Sequence, residues 1–122
     1  MSYDNSYVTS FPDHTFYKGD TISIPFSFFY SDNSPIDLRR VEVRFYLFPY
    51  GQPEMKVMFG DKDYKLAVPS GSKINECTVI FYPSETQQIE FTKYTYIPRL
   101  FFNDGSGRQY IRGEGHITYR ES

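Results

Sequence analysis

An all-β domain, built as a sandwich or barrel of seven or eight short strands, is the fold class that this sequence of 122 residues predicts. Three observations point to it. Phe and Tyr make up 20% of the chain, twelve of each with no Trp, and together with Ile, Val and Thr they favour the pleated surface of a sheet. Leu, Ala and Met, the strong helix formers among apolar residues, are scarce. Apolar and polar residues alternate over successive stretches separated by turn signals, with no β-α-β rhythm.

The elements follow in chain order. Residues 21–30 (TISIPFSFFY) place Ile22, Ile24, Phe26, Phe28 and Tyr30 on one side, against Thr21, Ser23, Pro25, Ser27 and Phe29. This is a period-2 strand, and Pro25, which has no N–H to donate, puts its amide position at an edge or a bulge. The turn SDNSP at 31–35 ends it. A second strand covers residues 40–48, where Val41, Val43, Phe45 and Leu47 alternate with Arg40, Glu42, Arg44, Tyr46 and Phe48. After a turn at 49–53, residues 55–59 and 64–68 read as a hairpin joined by GDKD at 60–63. Residues 69–72 break the chain again, and residues 76–82 form a strand with Cys77, Val79 and Phe81 on one face against Thr78, Ile80 and Tyr82.

Residues 83–90 hold the helical candidate, two turns at most, with Ser84 as N-cap and Gln87 in the capping-box position. Alternation returns over 92–102 through Tyr94, Tyr96, Pro98, Leu100 and Phe102, and NDGSG at 103–107 is the strongest turn signal in the chain. Two last strands fit in 108–119, divided at 113–115. The expected organisation is a flexible arm over 1–14 and one domain over 15–122.

Thirteen Lys and Arg against fifteen Asp and Glu leave a formal net charge of -2. No global positive field is available to collect duplex nucleic acid or an anionic membrane. The first ten residues carry no basic-then-apolar leader, and no apolar run approaches the ~18 residues that span a bilayer. Cys77, the single cysteine, cannot form an internal disulfide, which suits a reducing compartment.

Chemistry-bearing residues are few. His14 and His116 lack metal-ligand spacing, Cys77 lies mid-strand among apolar neighbours, and no nucleophile elbow is present. GSGR at 105–108 lacks the ending of a phosphate loop, and Asp32, Asp61 and Asp63 lack the closing carboxylate of a calcium loop. No catalytic residue, cofactor or metal is expected. The aromatic residues on the outward side of the strands carry the main functional signal. Phe29, Tyr46, Phe48, Tyr50, Ile80, Tyr82 and Phe101 oppose the inner faces assigned above, so they are either covered or form an apolar patch. Joined by Arg40, Arg44 and Arg99, the residues Phe29, Tyr46, Phe48, Tyr50, Tyr82 and Phe101 have the composition of a protein-interaction surface. The alternative is a carbohydrate-binding module in which Tyr46, Tyr50 and Tyr82 stack on host surface glycans.

The segment FYKGDT at 16–21, the alternating strand to Tyr30, SDNSPIDL at 31–38 and VEVRF at 41–45 together resemble the opening of the immunoglobulin-like domain of baseplate upper proteins and other structural proteins of tailed bacteriophages. Residues 92–102 and the turn at 103–105 resemble that family's strand and turn before the final hairpin. Asn33 and Ser34 stand where a Gly is common, and Arg39 and Arg40 where a small pair is often seen. The resemblance implies an immunoglobulin-like antiparallel β-sandwich without an active site, placed in a virion and in the host cytoplasm during assembly. Its implied partners are capsid, fibre or tail and baseplate subunits, contacted in multiple copies. Such domains usually head a longer chain, so a free-standing copy implies a capsid auxiliary or decoration protein, or an adaptor for a fibre or tail. An extended arm would add a strand to a neighbour's open edge.

Overall fold

The computed structural model describes residues 7–8, 11–30, 32–52, 54–70, 72–87, 92–102 and 115–120. Within them run nine strands, β1 (Tyr7–Val8), β2 (His14–Tyr17), β3 (Ile22–Phe29), β4 (Val41–Pro49), β5 (Lys65–Leu66), β6 (Val68–Pro69), β7 (Glu76–Phe81), β8 (Lys93–Phe102) and β9 (Gly115–Arg120). A 3-10 turn, Leu38–Arg40, leads into β4, and one helical turn, α1 (Pro83–Thr86), follows β7. The count passes the expected seven or eight because β1, β5 and β6 are two residues each, too short to show alternation.

Two sheets face each other, one in the order β1-β3-β7-β6 and the other in the order β2-β9-β8-β4-β5. Pairing is antiparallel except between β2 and β9, which run parallel from His14 beside Ile117 to Tyr17 beside Arg120. In chain order this is the A-B-E-D sheet and the C-F-G sheet of an immunoglobulin sandwich, with β5 as an added strand beside C. Residues expected in the arm take part: β1 pairs with Phe28 and Phe29 of this same chain, and His14 opens β2.

Side-chain alternation sets what is enclosed. Ile22, Ile24, Phe26 and Phe28 of β3 are buried against Val43, Phe45 and Leu47 of β4, with Tyr94, Tyr96 and Leu100 of β8. The strands β3 and β8 are those that antibody domains join by a disulfide packed on a strand-C Trp. Here rings close the gap: Phe26 meets Tyr96 at 6.0 Å between centroids, and Phe45 stacks on Tyr96 at 5.3 Å. The Tyr96 hydroxyl donates to the Pro12 carbonyl at 2.6 Å. Its ring lies over Gly115, its cross-strand partner, so closely that an added Cβ would sit 2.3 Å from ring carbons. Glycine is therefore required at that point for space, and the aromatic ring covers the backbone the glycine leaves bare.

Proline placement shapes the edges. Phe28 N–H donates to Asn75 C=O at 3.0 Å, so the alternate amide position at Pro25 points away from β7 toward the sheet edge, as its sequence position predicts. By the same alternation, the Ser70 N–H bond to Glu76 C=O at 3.1 Å leaves Pro69 facing outward from β6. Asn33 adopts φ 70° in the turn after β3, a left-handed conformation that asparagine tolerates better than most residues bearing a side chain.

Two local expectations are corrected. Residues 55–59 and 64–68 do not pair as a hairpin: Phe59 and Lys62 make a single bridge, and the later stretch divides between β5 on β4 and β6 on β7. The chain changes sheets there, and both edges accept a two-residue strand. The N-cap of α1 is Tyr82 rather than Ser84, with Pro83 at the first helical position and the Glu85 carboxylate accepting the Tyr82 N–H at 2.9 Å. Pro83 sets that boundary because its missing donor is harmless only in the first turn. The expected turn at 103–107 and the first of the two strands expected within 108–119 lie outside the described residues.

Candidate functional site

The two outer faces differ in kind. On the four-stranded sheet, Ser23, Pro25 and Ser27 of β3 and Glu76 and Thr78 of β7 point outward, with Ile80 and Phe29 partly buried. On the five-stranded sheet the outward row of β4 is Glu42, Arg44, Tyr46 and Phe48, and β8 sets Phe101, Arg99, Ile97 and Thr95 opposite them in register. Five of the sequence-predicted contact residues, Arg44, Tyr46, Phe48, Arg99 and Phe101, are thus brought onto one face.

Their rings and cations interleave. The Arg44 guanidinium lies 4.0 Å from the Phe101 ring centroid and 4.5 Å from that of Tyr64, and it ion-pairs with Glu42. Arg99 lies 5.1 Å over Tyr46, and Lys56 approaches the same ring at 5.2 Å. Tyr46 in turn stacks with Phe48 and meets Tyr64 at 5.7 Å. Arg44 and Arg99 are direct cross-strand partners, a like-charge pairing that ordinarily destabilises a sheet. The rings and Glu42 offset it for Arg44. No carboxylate pairs with Arg99 among the described residues, so its guanidinium fork is available to an outside acceptor.

Exposure sorts the row further. Tyr46 and Phe48 are only 5% and 4% exposed, yet they do not rejoin the core between the sheets. Of the two alternatives the sequence left open, covered rings or an open apolar patch, Tyr46 and Phe48 take the first: the outer face is roofed by the side chains of Lys56, Tyr64 and Arg99. What reaches solvent is Arg44, Arg99 and Phe101 in part, with Leu66 beside Arg44 exposed. Tyr50 is exposed at the end of β4, its ring under Lys93 at 4.2 Å and against His116 at 5.4 Å.

The remaining predicted residues are elsewhere. Phe29 is on the other sheet beside Tyr7 and Pro35. Arg40 is exposed in the 3-10 turn, where Asp37 accepts from the Arg39 backbone and side chain and is held at a pKa of about 2 by those hydrogen bonds. Tyr82 is exposed at the foot of α1, with Lys65 at 5.6 Å from its ring. The three tyrosines of the glycan reading do not make one open platform, because the faces of Tyr46 carry Arg99 and Lys56. Sequence reasoning missed Tyr64 and Lys56, which it placed in a hairpin that does not form; only their type, a ring and a cation, hinted at the role.

The titratable groups are embedded in structure. Burial pushes the Cys77 thiol up to about 12, so it is protonated at neutral pH. His14 stacks on Phe16 at 5.5 Å, facing inward, whereas His116 on the neighbouring strand faces outward with Asp13 at 3.4 Å. Among the described residues no group of three or more His, Cys, Asp or Glu is arranged to hold a metal, and no helix is long and apolar enough to cross a membrane.

No family model and no curated protein matches the chain. Among solved structures, the titin M3 domain is similar, with a TM-score of 0.50 over 95% of this chain and 97% of that one at 8% identity. At that identity the likeness concerns the fold, and it agrees with the strand order: the chain is an immunoglobulin-like β-sandwich.

Proposed function

We propose that this chain is a non-enzymatic structural module of a tailed-phage particle, docking on larger virion assemblies through the outer face of its five-stranded sheet. The phage setting rests on the sequence resemblance over residues 16–45 and 92–105. The docking face rests on one observation above the others: Arg99, stacked on Tyr46 beside Arg44 and Phe101 with no carboxylate partner among the described residues. An aromatic and arginine cluster of this kind concentrates binding energy in few residues, and it calls for an acidic or carboxylate-bearing surface on the partner. Repetition over a symmetric shell or tail would raise a weak contact by avidity.

Co-sedimentation of the purified chain with capsid-stage and tail-stage assemblies tests this reading. Binding to capsids assigns a head auxiliary or decoration role, and binding to tails an adaptor role. Arg99→Glu should abolish either while leaving the melting temperature near that of the parent. Absence of binding to both assemblies, or unchanged binding by the variant, would overturn the docking proposal.

A further inference from the structure

Residues 55–60, between β4 and β5, form one wall of an open cleft of about 530 Å³, and Leu47, Phe81 and Tyr94 contribute to the walls facing it. The segment is tied to the domain at Val57, whose N–H donates to Leu47 C=O at 2.8 Å, and at Phe59, whose ring meets Phe81 at 5.4 Å between centroids. Met55 and Met58 flank Val57. They are 51% and 58% exposed and line the same cleft, so each is open to solvent while it covers part of an apolar wall.

The remaining sulfur among the described residues is placed in the opposite way. Cys77 is 2% exposed, and burial pushes its thiol up to about 12. Almost none of it is thiolate at neutral pH, and the thiolate is the form that an oxidant attacks. A small oxidant in solution therefore reaches the two thioethers and not the thiol, reversing the usual order in which cysteine reacts before methionine.

We propose that Met55 and Met58 form a peroxide-sensitive modification site, in which both thioethers become sulfoxides before Cys77 reacts and the segment over the cleft then loosens from the core. The sulfur attacks one oxygen of hydrogen peroxide, the O–O bond breaks, and the transferred oxygen passes its proton to the departing hydroxide, which leaves as water. Sulfur is oxidised and peroxide reduced. The new oxygen is a strong acceptor, and the side chains of Leu47, Val57 and Phe81 offer it no donor. Each oxidised side chain turns toward water, and the apolar cover that holds Val57 and Phe59 in place is lost. The site does not depend on the docking reading.

The test is a hydrogen peroxide time course on the folded full chain, read by mass mapping and by NMR amide exchange. Trypsin separates the sulfurs, with Met1 in 1–18, Met55 in 45–56, Met58 in 57–62 and Cys77 in 74–93. Peptides 45–56 and 57–62 should each gain one oxygen before 74–93 changes. Exchange of the Val57 amide should then quicken several-fold and the melting temperature fall by a few degrees, and methionine sulfoxide reductases A and B should restore both. Met55→Leu with Met58→Leu, which keeps the volume, should fold like the parent and melt at the same temperature with or without peroxide. Oxygen on 74–93 as early as on 57–62, oxidation of only one of the two methionines, unchanged Val57 exchange once both sulfoxides form, or a peroxide-induced fall that persists in the double variant would each overturn the proposal.

Discussion

At Gly115 a single hydrogen atom in place of a side chain lets Tyr96 lie flat across the sheet and reach Pro12 with its hydroxyl. Gly115→Ala must displace that ring, and overpacking of this kind costs about 1–3 kcal/mol. Denaturant unfolding should show the loss, with the near-UV aromatic signal altered; parent-like stability would mean that the ring moves freely. His14 carries the pH dependence. Burial lowers its pKa from 6.5, opposed in part by Asp13, so the unfolded chain binds the proton more readily. Its contribution is complete above about pH 6.5 and is lost as pH falls toward the folded value. Stability measured from pH 8 to 5 should therefore decline through that window, and His14→Gln should flatten the decline.

Between elements, Thr86 is the fastening that the sequence concealed. It is fully buried in α1, accepts from Gly19 N–H at 3.1 Å and donates to Asp20 C=O at 2.9 Å, joining the turn after β2 to the turn after β7. Thr86→Val keeps the shape and leaves both backbone groups without this partner, a cost of roughly 1–3 kcal/mol, readable as a lower denaturation midpoint at unchanged slope. At the edges the effect is on association. Pro25 and Pro69 hold the donor-free positions on the two open sides of the four-stranded sheet, where an extra strand would otherwise dock. Pro25→Thr with Pro69→Thr should leave unfolding near the parent value and shift sedimentation toward dimers and larger species. A strictly monomeric double variant would show that the edges are guarded by something else.

For the molecule as a whole, Cys77 reports on global opening. It is buried between β3 and β6, paired across from Phe26 and Pro69, and neither local turn exposes it. Labelling by a thiol reagent should proceed at the rate of global unfolding and accelerate with denaturant along the same slope as equilibrium unfolding. Rapid labelling in native buffer would reveal local opening of the β6 edge. The same enclosure explains how one cysteine suffices: rings of Phe26, Phe45 and Tyr96 span the sheets where related architectures use a covalent bridge.

Much of this was legible in the sequence. The inner rows of β3, β4, β7 and β8 follow from alternation, because a half-buried strand must segregate its side chains every second residue. Pro25 at an edge follows from its missing donor, and the all-β class, sandwich or barrel, follows from strands without a β-α-β rhythm. Period alone could not tell which partner each strand takes. The parallel pairing of β2 with β9, the change of sheet between Leu66 and Val68, and the roof of Lys56 and Tyr64 over Tyr46 all join residues far apart in the chain, and no local pattern encodes such distances. Nor could it show that the Tyr119 hydroxyl is buried without a hydrogen-bond partner. Local sequence determined which face of each strand is apolar; only strand pairing and the closing of one sheet on the other decided which rings are enclosed, which cations stand over which rings, and where the interior remains open.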